Sequence, residues 1–149
     1  MRIFKKKPVS RMQLANRRLW RDALMSDEYV QGRAALVNLD FEYCCLGVAC
    51  DAVLGFEVVD GPYGVGFRLP PGIVNDIGGI PEGHTDVLTA MMPKAMFEAT
   101  FGFAQGQGWL SAANDLGGAD FMDIASMIPL NRTDVVPNVP ERHRGPTDL

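Results

Sequence analysis

"YCCLGVACDAV", residues 43–53, contains all three cysteines of the chain, Cys44, Cys45 and Cys50. Leu46, Ala49, Cys50, Val53 and Leu54 lie at i, i+3, i+4, i+7 and i+8, the spacing of one apolar helical face. Gly55 is placed to stop that helix. The pattern predicts a helix that turns Cys50 into a core, where a free thiol behaves as a small hydrophobe. Gly47 and the flanking small residues allow another element to approach closely.

N-terminal to this stretch, residues 10–26 predict a helix started by Ser10. Its apolar stripe is Met12, Ala15, Leu19, Trp20, Ala23 and Leu24, with the arginines on the opposite face. Residues 27–36 break and restart around Gly32, and "FEY", 41–43, is a candidate strand leading into the cysteines. On the C-terminal side, "FEVVD" and "VGFRLP" predict a hairpin around a Gly- and Pro-containing turn. A short helix is expected from Pro71 to about Ile77. Residues 84–100 predict a helix kinked or split at Pro93, with Met91, Met92 and Met96 as core filler or, alternatively, an adaptable partner surface. After a Gly-rich loop, 101–108, two short helices follow, the second burying Phe121, Ile124, Ala125 and Ile128.

The expected fold class is α+β: one compact, mainly helical domain over 10–128 with a small hairpin. A basic arm, 1–9, precedes it and a Pro-rich polar tail, 129–149, follows. The 149 residues are 47% hydrophobic, enough for one substantial core, and no apolar run is long enough for a membrane span. The odd cysteine count suits a reducing compartment, and "MRIFKKKPVSR" lacks the apolar stretch of a secretory signal. Residues 1–22 carry eight Lys/Arg against Asp22 alone, whereas the rest of the chain carries six basic and seventeen acidic side chains. An acidic body disfavours general nucleic-acid binding, which leaves the basic arm as the one segment suited to phosphate or to an acidic neighbour.

The order of motifs is similar to that of a family of small, uncharacterised tailed-bacteriophage proteins. The resemblance rests on Trp20, Ala23 and Leu24; Gln31-Gly32; Tyr43-Cys-Cys-Leu-Gly-Val48 with Cys50 and Asp51; Leu69-Pro70; Asn114-Asp115; and Phe121, Ile124 and Ala125. It covers roughly residues 19–128. Ala49, the segment 80–108 and the two terminal extensions depart from the pattern. The resemblance implies a protein made in an infected host, located in the host cytoplasm or in the virion, and it carries no activity.

Function is therefore read from residues. A papain-like cysteine hydrolase would use Cys44 or Cys45 at a helix start, His84 as base and Gln31 in an oxyanion hole. Against that, His84 lies in the segment that departs from the family pattern. A zinc site is not expected, because the cysteines lack a C-x-x-C pair and adjacent helical residues point about 100° apart. "DFMDIASMIPLNRTDVV", 120–136, is superficially like a helix-turn-helix, but it is acidic and interrupted by Pro129. Gln31, Gly32, Cys44, Asp51, Asn114 and Asp115 are the candidate lining of a shared polar pocket. The expectation is a non-catalytic accessory protein without cofactor or metal. It would bind a partner: a host protein, a small signalling molecule, or phage subunits in a homo-oligomer or particle. A virion structural role is the further alternative.

Overall fold

The computed structural model describes residues 9–61, 64–70, 87–103 and 105–144. It shows a compact α+β fold. Helix α1, Arg11–Leu24, is followed by the two-residue strand β1, Val30–Gln31, and by β2, Glu42–Tyr43. Helix α2, Cys45–Ala52, leads into the hairpin β3, Glu57–Gly61, and β4, Gly64–Arg68. Strand β5, Val87–Leu88, precedes the helices α3, Lys94–Phe101, α4, Gly106–Asp115, and α5, Phe121–Ser126. Strands β1 and β2 pair in parallel, and β3-β4-β5 form an antiparallel sheet. The Leu36 N–H donates to the Thr89 carbonyl at 2.9 Å, tying the β1–β2 connection to the segment after β5. The expected helix over 71–77 lies outside the described residues.

The hairpin and the α2 register agree with the sequence. Cys45 to Cys50 are all buried, and Gly55 ends the turn at φ 67°, a conformation glycine adopts without strain. Gly47 is required by packing. A Cβ there would land inside the Leu36 carbonyl, so α2 rests backbone to backbone on the loop before β2.

Helix α1 corrects the expected stripe. Its Ser10 start is a capping box with Gln13, as expected. However, Met12 and Leu19 are 71% and 52% exposed, while Arg17 is fully buried beside Trp20 and Leu24. The inward face is polar because it meets a helix end. Gln13 Nε2 donates to the Glu98 and Ala99 carbonyls, Asn16 Nδ2 to Thr100 at 2.9 Å, and Arg17 Nε to Phe101 at 2.7 Å. These are the last carbonyls of α3, the groups a helix leaves short of partners at its end, although the Glu98 carbonyl also accepts from the Gly102 N–H at 2.8 Å. Trp20 completes the contact, stacking on Phe101 with centroids 4.5 Å apart, and its Nε1 donates to the Cys45 carbonyl at 2.9 Å. Helix α1 thereby joins α2, α3 and α5. Truncating an aromatic in such a cluster typically costs about 3–5 kcal/mol.

The expected helix over 84–100 is also corrected. Residues 87–88 are a strand, and the helix begins only after Pro93, whose ring fits a helix start but not an interior. Met92 and Met96 fill the core and Met91 is exposed. Beyond α5, residues 127–144 run through turns and a short 3-10 helix, Glu141–His143, and pack on the body. Arg17 Nη1 holds the Pro129 and Asp134 carbonyls, Asn138 N–H donates to Met127, and Val139 and His143 are buried.

Candidate functional site

The six candidate pocket residues do not form one hydrogen-bonded set: four share a network, Asp51 bonds elsewhere, and Cys44 caps α2. Gln31, Gly32, Asn114 and Asp115 come together. Gln31 Nε2 donates to Asn114 Oδ1 at 2.8 Å and to the Ala119 carbonyl at 2.9 Å. Asn114 Nδ2 donates to the Gly32 carbonyl at 3.0 Å and to Asp115 Oδ1 at 2.8 Å. Gly32 is needed there because a Cβ would press on Glu42 at 2.9 Å. Asn114 is wholly buried, so this network is a polar clasp between β1 and α4.

Asp51 is not part of that network. It accepts a hydrogen bond from the Tyr29 hydroxyl, and Tyr29 meets Tyr43 edge to face with centroids 5.1 Å apart. Burial and the Asp51 carboxylate both push the Tyr29 hydroxyl pKa up, and burial does the same for Tyr43. The sequence places Tyr43 in the quoted motif without a role, and Tyr29, two residues before Gln31, carries no signal of its own.

The cysteines are packing groups in this arrangement. Cys44 is the N-cap residue of α2, and its Sγ accepts from the Gly47 N–H at 3.4 Å. That bond favours a thiolate, but burial outweighs it and raises the thiol to about 11. Cys45 donates to the Leu110 carbonyl at 3.5 Å, and burial raises its pKa and that of Cys50 as well. At neutral pH all three are therefore protonated thiols, which are poor nucleophiles. The side-chain amide N–H donors of Gln31 are spent on the clasp. His84 lies outside the described residues. His143 is held elsewhere, with Nδ1 on the Gly117 carbonyl at 2.8 Å and Nε2 accepting from Arg142 at 3.1 Å. Among the described residues no group of three or more His, Cys, Asp or Glu is placed to hold a metal ion. No helix among them is long and apolar enough to cross a membrane.

A second feature lies on the outer side of the β1–β2 connection. Asn38 Oδ1 accepts from the Asp40 and Glu42 N–H groups, both at 3.0 Å, while its Nδ2 donates to Glu42 Oε1 at 2.8 Å. The Phe41 N–H closes the turn on the Asn38 carbonyl at 3.0 Å. This frame holds Leu39 at 76% and Phe41 at 63% exposure. Phe41 has φ 56°, a left-handed conformation unusual for a bulky residue. Beside the loop runs an open groove of about 560 Å³ lined by Val37, Leu39, Val65 and Ala90 among others. The sequence signal was "NLDFE", two apolar residues interleaved with acids behind an asparagine.

Comparison with known proteins returns no matching family model, no matching curated protein and no matching solved structure.

Proposed function

We propose that this chain is a non-catalytic accessory protein of a tailed phage that acts by binding a protein partner through the loop 38–42. The order of motifs supports the phage origin. The observation that carries the binding role is Phe41, exposed yet held at positive φ by the turn around Asn38. A bulky residue in this conformation costs on the order of 1 kcal/mol, and such strain tends to gather at functional positions. A rigid aromatic on a fixed turn contacts a partner with little loss of side-chain freedom. The protonated, buried thiols and the committed Gln31 amide favour this reading over the cysteine-hydrolase alternative.

The test is site-specific photocrosslinking. Benzoylphenylalanine placed at Phe41 in the full chain, expressed in bacterial host cells, is expected to give a discrete protein adduct. The same probe at Met122, which is 60% exposed on α5, is expected to give none. Equal labelling from both positions, or none from Phe41, would sink the reading.

A further inference from the structure

The partner-binding reading leaves the partner open, and the following inference rests on it. Residues 27–42 surround the exposed Val30, Leu39 and Phe41 with Asp27, Glu28, Asp40 and Glu42, against Arg33 as the one cation. The parallel register sets Val30 opposite Glu42, so the β1 and β2 ends of this patch lie side by side. The patch is thus apolar at its centre and acidic at its rim. One segment of the chain has the complementary chemistry: "RIFKKK", 2–7, sets Ile3 and Phe4 among four cations. We infer that the segment 2–7 of a second copy of this chain docks on the Leu39–Phe41 loop, its aromatic and aliphatic side chains meeting the apolar centre and its cations the carboxylates.

Length argues for a second copy over the same chain. Val9 is fixed near the start of α1 by its N–H bond to the Arg132 carbonyl at 2.8 Å. Trp20, which touches the N-terminal end of α2, lies eleven residues further on, about 16 Å of helical rise. The Leu39–Phe41 loop runs into β2, which the Val30–Glu42 pairing ties to the chain past the C-terminal end of α1. The five residues from Phe4 to Val9 span at most about 17 Å, which the distance to Trp20 already consumes.

Sedimentation velocity on the full chain tests this. Self-association is expected at low salt and should weaken about tenfold or more between 50 and 500 mM salt, as contacts between exposed charges do. Lys5, Lys6 and Lys7→Glu in one variant, and Phe41→Asp in another, should each be monomeric while retaining the wild-type circular dichroism. Mixing the two variants should restore a heterodimer, because one supplies an intact loop and the other an intact arm. A monomeric wild-type chain, or association indifferent to the lysine variant, overturns the inference. If the Phe41 crosslink to another protein persists in that case, the partner-binding reading stands without it.

Discussion

Arg17 Nε donates to the Phe101 carbonyl at 2.7 Å from a fully buried position, and among the described residues no carboxylate forms an ion pair with it. Its direct partners are dipoles and a ring, with the Asp134 charge acting from further off. Nη1 holds the Pro129 and Asp134 carbonyls at 3.1 and 2.8 Å, and the guanidinium lies 3.9 Å over Phe103. Burial draws its pKa down to about 10, so it remains a cation at neutral pH. The negative end of α3, through Phe101, and the Pro129 and Asp134 carbonyls stand in for a paired counter-ion.

Arg17→Met keeps much of the volume and removes every donor. The buried Phe101 carbonyl and the part-buried Pro129 and Asp134 carbonyls then lose their partner, partly offset by relief of the buried charge. The expected loss is about 2–4 kcal/mol in urea unfolding. Arg17→Lys retains the charge without the fork, and a loss of about 1–2 kcal/mol is expected. A Met variant as stable as wild type would refute this account of α1.

Two glycines should respond with opposite signs. Gly47→Ala forces its Cβ into the Leu36 carbonyl and is expected to cost more than about 3 kcal/mol or to prevent folding. Gly108, in the first turn of α4, has open space around it and no positive φ. Gly108→Ala should raise stability by up to about 1 kcal/mol. Thermal melts of the two variants check both.

The thiols set an alkaline limit. Folded Cys44 keeps its proton up to about 11 against an ordinary value of 9.0. A raised folded pKa means its contribution is complete below pH 9 and is lost as pH rises from 9 to 11. For Cys44 alone that is on the order of 3 kcal/mol. Cys45, Cys50 and the Tyr29 hydroxyl act in the same direction. Arg17, with its lowered pKa, acts oppositely, but only from about pH 10 upward. The melting temperature should therefore fall between pH 8.5 and 10.5, less steeply in Cys44→Ala. A thiol-specific reagent at pH 8 should label the native chain only as fast as it unfolds.

Phe41→Asn should separate stability from binding. Asparagine tolerates the left-handed conformation, so the variant is expected to gain up to about 1 kcal/mol. It also removes the exposed ring, so self-association should drop. Lower stability together with unchanged association would count against the loop as a contact surface.

The parts legible in the sequence were those governed by apolar spacing or turn chemistry: α2 with Cys50 inward, the hairpin, the Ser10 cap, and the face of α5. Helix α1 keeps Trp20 and Leu24 of the expected stripe inside but departs from it in its first turns, where the inner residues answer to carbonyls. Gln13, Asn16 and Arg17 look like a solvent face until the end of α3, some 85 residues away, is set against them. Strands β1 and β5 have two residues each, too few for alternation to show, whereas β2 falls within the expected strand 41–43. At the candidate site, Gln31 and Asn114 both read as polar residues beside element ends, but their bond is a tertiary fact. Helical position alone sets Asp51 in the same pocket, whereas its hydrogen bond is to Tyr29.

The contact between Gly47 and the Leu36 backbone bears on how such a protein could change over generations. Because the helix meets main chain there, it places no demand on the side chains at the tip of the loop. Leu39, Asp40 and Phe41 point outward, and the turn beneath them depends on Asn38 and Glu42. Three adjacent codons could therefore be rewritten while the frame stays constant. A lineage facing a shifting set of partners could retarget the tip without refolding the body.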